Sequence, residues 1–165
     1  MCIRDRYTGL LAGASFACML EFSLIPTAIT VAAGAFGGLL PDLDHRKSTI
    51  TKKLGVLGFC SSRLFRHRGV LHAPTFYFVA TAVLWLFVSE SSYLQFVIYG
   101  LLVGELSHLL LDALTPKGIP MLWPFYRRHI SLLPIQTDGP IDHFIGRVAL
   151  IATAFILGCM VVFGI

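Results

Sequence analysis

Five apolar stretches, at about residues 7–22, 24–40, 73–89, 93–113 and 144–165, approach the roughly 20 residues a helix needs to cross a bilayer. They leave little freedom of architecture. In hydrocarbon every backbone N–H and C=O must be satisfied within the segment, so runs of this length read as helices. The chain is 56% hydrophobic and 13% charged, too few polar residues to cover a soluble domain of 165 residues. The expected fold is all-α: a polytopic membrane helical bundle of about five spans with two long cytoplasmic loops, forming one membrane-embedded domain over 1–165. Gly9 with Gly13, Gly34 with Gly38 and Gly100 with Gly104 repeat at helical spacing and would let helices approach closely. The opening "MCIRDR" does not read like the start of a membrane helix and resembles sequence joined on from elsewhere, so nothing is built on residues 1–6.

Basic residues set the expected orientation. The 41–71 loop carries Arg46, Lys47, Lys52, Lys53, Arg63, Arg66 and Arg68, and the 114–143 loop carries Lys117, Arg127 and Arg128. The connections around Glu21 and "SESS" have no Lys or Arg. Retention of Lys and Arg on the cytoplasmic side then puts the amino terminus and both long loops in the cytoplasm. The net charge of +4 is explained by topology and by anionic lipid headgroups, with no need for a nucleic-acid partner. Ile50, Leu54, Leu57 and Leu64 recur at roughly helical spacing among basic residues, which predicts a helix lying in the membrane interface. The four cysteines, Cys2, Cys18, Cys60 and Cys159, are scattered and form neither a disulfide framework nor a cysteine zinc site. Oligomeric state is not legible.

Polar residues gather where the apolar runs give out. "PDLDH" brings Asp42, Asp44 and His45 to the end of the second run; "HRGVLH" brings His67 and His72 to the start of the third. "GELSHLLLDALTPKG" carries Glu105, His108 and Asp112, spaced three and four residues apart, so that they share one helix stripe. "DGPIDH" adds Asp138, Asp142 and His143 ahead of the last run. Singly, each such residue is ordinarily a cap or an interfacial side chain. Together they point to a shared centre, because distant segments deliver imidazoles and carboxylates to one level of one membrane face. The candidate metal ligands come from these clusters, with one or two residues orienting a ligating histidine instead of binding. Such a donor set without cysteine suits zinc, or else manganese or iron. Glu105 costs energy at its depth unless paired or protonated, and is the candidate general base.

In order and spacing, "LLPDLDHRKS", "HRGVLHAP" and "GELSHLLLDALTPKGIPMLWPF" resemble the YdjM-type family of bacterial inner-membrane proteins, described as LexA-regulated and as metal-dependent hydrolases. The resemblance implies a multi-span protein of the bacterial inner membrane with a metal-supported hydrolytic site. Carried over by position, it points to Asp42, Asp44 and His45, to His67 and His72, and to His108 with Asp112. It also implies a histidine just ahead of the first span, where this chain has Tyr7 and Thr8. The expected function is hydrolysis of a phosphoester or lipid-like substrate, with membrane lipids as surroundings. The alternatives are a non-catalytic membrane protein that holds a structural or transported cation, and a scaffold whose loops bind a partner.

Overall fold

A computed structural model describes residues 2–45, 48–64, 69–88, 93–126, 128–133, 135–137 and 139–164. Four principal helices build the bundle: α1 (Cys2–Met19), α2 (Leu24–Gly37), α6 (Leu94–Ala113) and α7 (Pro140–Phe163). Between α2 and α6 lie a 3-10 turn at Pro41–Asp44, the short helices α3 (Thr49–Lys53) and α4 (Val56–Leu64), a second 3-10 turn at Val70–His72, and α5 (Pro74–Trp85). Three helical stretches are long and apolar enough to span a membrane, Leu24–Asp44, Leu94–Ala113 and Pro140–Phe163, and α5 is a shorter apolar helix. The first of the five expected runs forms α1, which begins before the run at Cys2.

Proline and glycine set the limits of these helices. Pro74 and Pro140 occupy the first turns of α5 and α7, where a missing N–H costs nothing. Gly164, at φ 70°, closes α7 with its N–H donated to the Met160 carbonyl. Beyond α6, the Thr115 hydroxyl donates to the Asp112 carbonyl, and an antiparallel bridge joins Ile119 to Ile130. Ser131 Oγ donates to the Thr115 carbonyl, and the Leu132 N–H to that of Ala113, so this loop is bound to the end of α6 that carries the polar residues.

Helices α1, α2 and α6 pack against one another, and α7 lies against α1. The approach is close because small residues meet backbone: a Cβ added at Gly9 or Gly104 would overlap the Gly34 carbonyl, and one at Gly100 the Thr30 carbonyl. At one end of the bundle the packing is aromatic. Phe22 and Phe96 meet edge to face at 4.9 Å, and Tyr99 lies 5.4 Å from Phe16 and 5.2 Å from Trp85. Outward positions such as Ile151, Phe155 and Val161 on α7 are exposed and apolar, the surface expected of a helix facing lipid.

The interfacial helix expected across Ile50–Leu64 is two short helices broken at Gly55, whose φ is +54°. Ser48 caps α3 by accepting the Thr51 N–H, and the Thr51 hydroxyl donates to the Asp42 carbonyl. That tie holds the 3-10 turn in place. Ile50 is buried, whereas Leu54, Val56 and Phe59 are exposed and the Arg63 guanidinium sits over the Phe59 ring at 5.1 Å. An apolar surface rimmed by Lys52, Lys53 and Arg63 suits the headgroup boundary.

The crossing of α2 and α6 yields a direct prediction. Gly104→Ala places a methyl group into backbone that cannot yield, and overpacking of this kind costs about 1–3 kcal/mol. Gly158→Ala, where a Cβ meets nothing within 4 Å, is the control. Thermal unfolding of detergent-solubilised protein should show a lower midpoint for the first and no loss for the second.

Candidate metal centre

Three chain segments converge at the polar end of the bundle. The turn after α2 supplies Asp42 and Asp44, the turn before α5 supplies His72, and the last two turns of α6 supply His108 and Asp112. All five are buried, with His72, His108 and Asp112 wholly inaccessible. Asp42, His72 and His108 each offer one ligand atom, and those atoms lie within 4.8 Å of one another. Ligands at about 2.0–2.2 Å from a common zinc ion sit somewhat closer together, so small side-chain movements would close the site.

The two imidazoles are held by their Nδ1 atoms. His108 Nδ1 is 2.8 Å from the Gly38 carbonyl oxygen, to which it donates, and His72 Nδ1 is 3.1 Å from Asp44 Oδ2. A proton on Nδ1 leaves the Nε2 lone pair for a ligand, the arrangement by which carboxylates and carbonyls orient metal-binding histidines. Both Nε2 atoms face Asp112 Oδ2, at 3.3 Å from His72 and 3.8 Å from His108. His108 Nε2 is buried and makes no hydrogen bond among the described residues. A buried nitrogen left in this way costs energy, and a divalent cation is a partner that would satisfy it. The donor set therefore fits a metal ion. Asp112 joins Asp42, His72 and His108 as a ligand candidate, and Asp44 orients.

Burial would pull the His72 pKa down, but the flanking Asp112 and Asp44 carboxylates more than offset this and hold it raised to about 9. Without metal, a proton therefore sits among these groups at neutral pH. The raised value contributes stability that is fully present below the ordinary 6.5 and is lost as pH rises through about 9.

Other expected residues stand apart. Glu105 is buried on the α6 stripe one turn before His108, and among the described residues no hydrogen bond or ion pair joins it to His72, His108 or Asp112. It lines an adjoining apolar cavity. His45 is half-buried just past the Asp42–Asp44 turn and outside the group of three. His67 lies outside the described residues, as does Asp138. His129 is exposed, with Nδ1 3.2 Å from the Lys117 carbonyl, and His143 is exposed on α7.

The structure adds residues that the motifs did not assign. Asp142, in the first turn of α7, is buried and paired with the Arg4 guanidinium, which also lies 2.8 Å from Asp5 and 3.9 Å from Asp112. Asp5 Oδ1 is 3.8 Å from His108 Nδ1. Residues 2–6, on which the sequence reading built nothing, thus form the start of α1 and reach the edge of the centre. The signal for Asp142 was its place in the "DGPIDH" cluster ahead of the last apolar run, which no motif assigned a role.

Metal uptake must displace the His72 proton, so affinity for zinc should rise with pH between 6 and 9, by up to about tenfold per unit for each proton released. Calorimetry in buffers of different ionisation enthalpy would count those protons. An affinity flat across this range would contradict the arrangement.

A family model described as YdjM inner membrane protein matches residues 6–165. The inner membrane protein YdjM of Escherichia coli (strain K12) is 35% identical over 124 residues, covering 74% of this chain and 60% of the relative. The Shigella flexneri protein of the same name matches equally, and the YvsG protein of Bacillus subtilis (strain 168) is 33% identical over 96 residues, 58% of each chain. The matched stretch thus spans about 60% of the length of the YdjM relatives. No solved structure matches. Asp42, Asp44, His72, His108, Asp112 and Asp142 all fall within the family match, whereas Arg4 and Asp5 precede it. This chain belongs to the YdjM family of inner membrane proteins.

Proposed function

We propose that the protein is a metal-dependent hydrolase embedded in the bacterial inner membrane, acting on a phosphoester or lipid-like substrate at the cytoplasmic face. The observation that carries this reading is the buried convergence of Asp42, His72 and His108 from three separate segments within 4.8 Å. Zinc suits the donors best, with manganese or iron as other candidates. A divalent ion held there supplies Lewis acidity toward the substrate and makes water acidic enough to act as a nucleophile near neutral pH. The basic residues of the long loops support a cytoplasmic orientation for this end of the bundle.

The chain's own residues do the rest. Asp44 and the Gly38 carbonyl fix the two imidazoles, and Asp112 stands between their Nε2 atoms. Hydrolysis joins a water oxygen to phosphorus, breaks the bond from phosphorus to the alcohol oxygen, and moves one proton from the water to the departing alcohol. Glu105, one helical turn from His108, is assigned that proton transfer. The same ligands would serve a structural or transported cation. Transport calls for polar residues near the bilayer midplane, and of the candidate site residues only Glu105 lies deeper along its span than the ligands.

Metal analysis of detergent-purified protein should find a stoichiometric divalent ion in the wild type and its loss in both His72→Ala and His108→Ala. Turnover of a phosphoester panel should vanish on chelation and return with zinc. Glu105→Gln should keep the metal and lower kcat by about 100-fold or more, the usual scale of a lost general base. Wild-type protein that binds no metal, or activity that survives exhaustive chelation, would overturn the reading.

A further inference from the structure

Beside the metal centre lies a cavity of about 190 Å³ that the hydrolytic chemistry does not by itself require. Its walls are apolar, and they are continuous with the ligand-bearing turns. Leu43, between Asp42 and Asp44, and Leu71, next to His72, form the near end. From there the cavity follows α5 from Phe76 to Leu84, eight residues or about 12 Å of helix, toward the interior of the bilayer. Leu84 is half exposed, so the deep end is not sealed from surrounding hydrocarbon. Three polar side chains interrupt the lining: Tyr77, whose hydroxyl donates to the Leu71 carbonyl, Thr81, and Glu105, whose carboxyl is 6% exposed and without a hydrogen-bond partner among the described residues.

These features define an occupant. The volume falls below the about 300–1,000 Å³ of sites that enclose whole small molecules, so the cavity takes one end of a molecule. Its lining selects an aliphatic chain. A head group at the His/Asp centre would direct such a chain past Leu43 and Leu71, with Glu105 facing the linkage between them. We propose that the cavity is an alkyl-chain subsite and that the substrate is an amphiphile, a phosphoester whose alcohol or second ester group carries an unbranched hydrocarbon chain. This rests on the hydrolase reading above, and it narrows the substrate class from phosphoesters in general to those with a tail. A freely soluble phosphoester lacking a chain would leave the cavity unused.

The test uses the metal-replete protein and alkyl p-nitrophenyl phosphates with chains of two to eight carbons. KM should fall about fourfold for each methylene that enters the cavity, until the cavity is filled. Ala80→Phe and Thr81→Phe, which each fill the cavity from α5, should abolish that dependence while leaving metal content and turnover of the two-carbon ester near wild type. Wild-type KM values indifferent to chain length, or fillers that slow short and long esters equally, would overturn the subsite. Should no phosphoester be turned over, the hydrolase reading fails separately, and cross-linking decides the cavity. A diazirine-tailed phospholipid in nanodiscs should label Leu71, Ala80 or Thr81, with that label lost in Ala80→Phe. Labelling confined to lipid-facing residues such as Ile151 and Phe155 would refute it.

Discussion

An imidazole or carboxylate withdrawn from water at the edge of a lipid bilayer is tolerated only when another polar group meets it. At the polar end of this bundle, among the described residues, the carboxylates of Asp5, Asp42, Asp44, Asp112 and Asp142 are buried together with only Arg4, His72 and His108 as basic companions. Acids outnumber bases, and a divalent cation is the natural counter-charge. The rest of the architecture arranges for these groups to meet. Helix α2 can lie against α1 and α6 because Gly9, Gly34, Gly100 and Gly104 bring backbones together, which places the end of α6 beside the turn that follows α2. The Gly38 carbonyl, at the end of α2, then reaches His108 directly.

The same geometry separates two tasks within a small volume. The turns at Pro41–Asp44 and Val70–His72 each alternate a polar residue that faces the centre with an apolar one that faces the cavity. Asp42, Asp44 and His72 serve one side; Leu43 and Leu71 serve the other. Short 3-10 turns suit this division, since three residues per turn fan neighbouring side chains in different directions. The turns themselves are secured from outside, by the Thr51 hydroxyl on the Asp42 carbonyl and by the Tyr77 hydroxyl, which donates to the Leu71 carbonyl at 2.7 Å. Side chains of a soluble-looking kind are thereby held rigid next to lipid.

Much of this was legible in the residues. Apolar run length fixed the helical membrane bundle, and glycine spacing foretold the closest crossings. The helical stripe of His108 and Asp112, with Asp42, Asp44 and His72 at apolar boundaries, pointed to a shared cluster, and the structure brings these five side chains together. What stayed hidden depended on rotation and depth. Spacing put Glu105 on the same stripe as His108, but one turn of rise was enough to turn it toward an apolar cavity. Asp142 and the start of α1 depended on how α7 leans on α1, a tertiary fact with no local periodicity. The interfacial helix was expected as one piece, and Gly55, with its positive φ, divides it in two.

X-ray absorption at the zinc edge of the loaded, detergent-purified protein tests the central claim most directly. The account predicts nitrogen and oxygen ligands near 2.0–2.2 Å, with outer-shell scattering from two imidazoles that falls to one in His72→Ala. A first shell of water oxygens alone, or a spectrum unchanged by removal of His72, would contradict it.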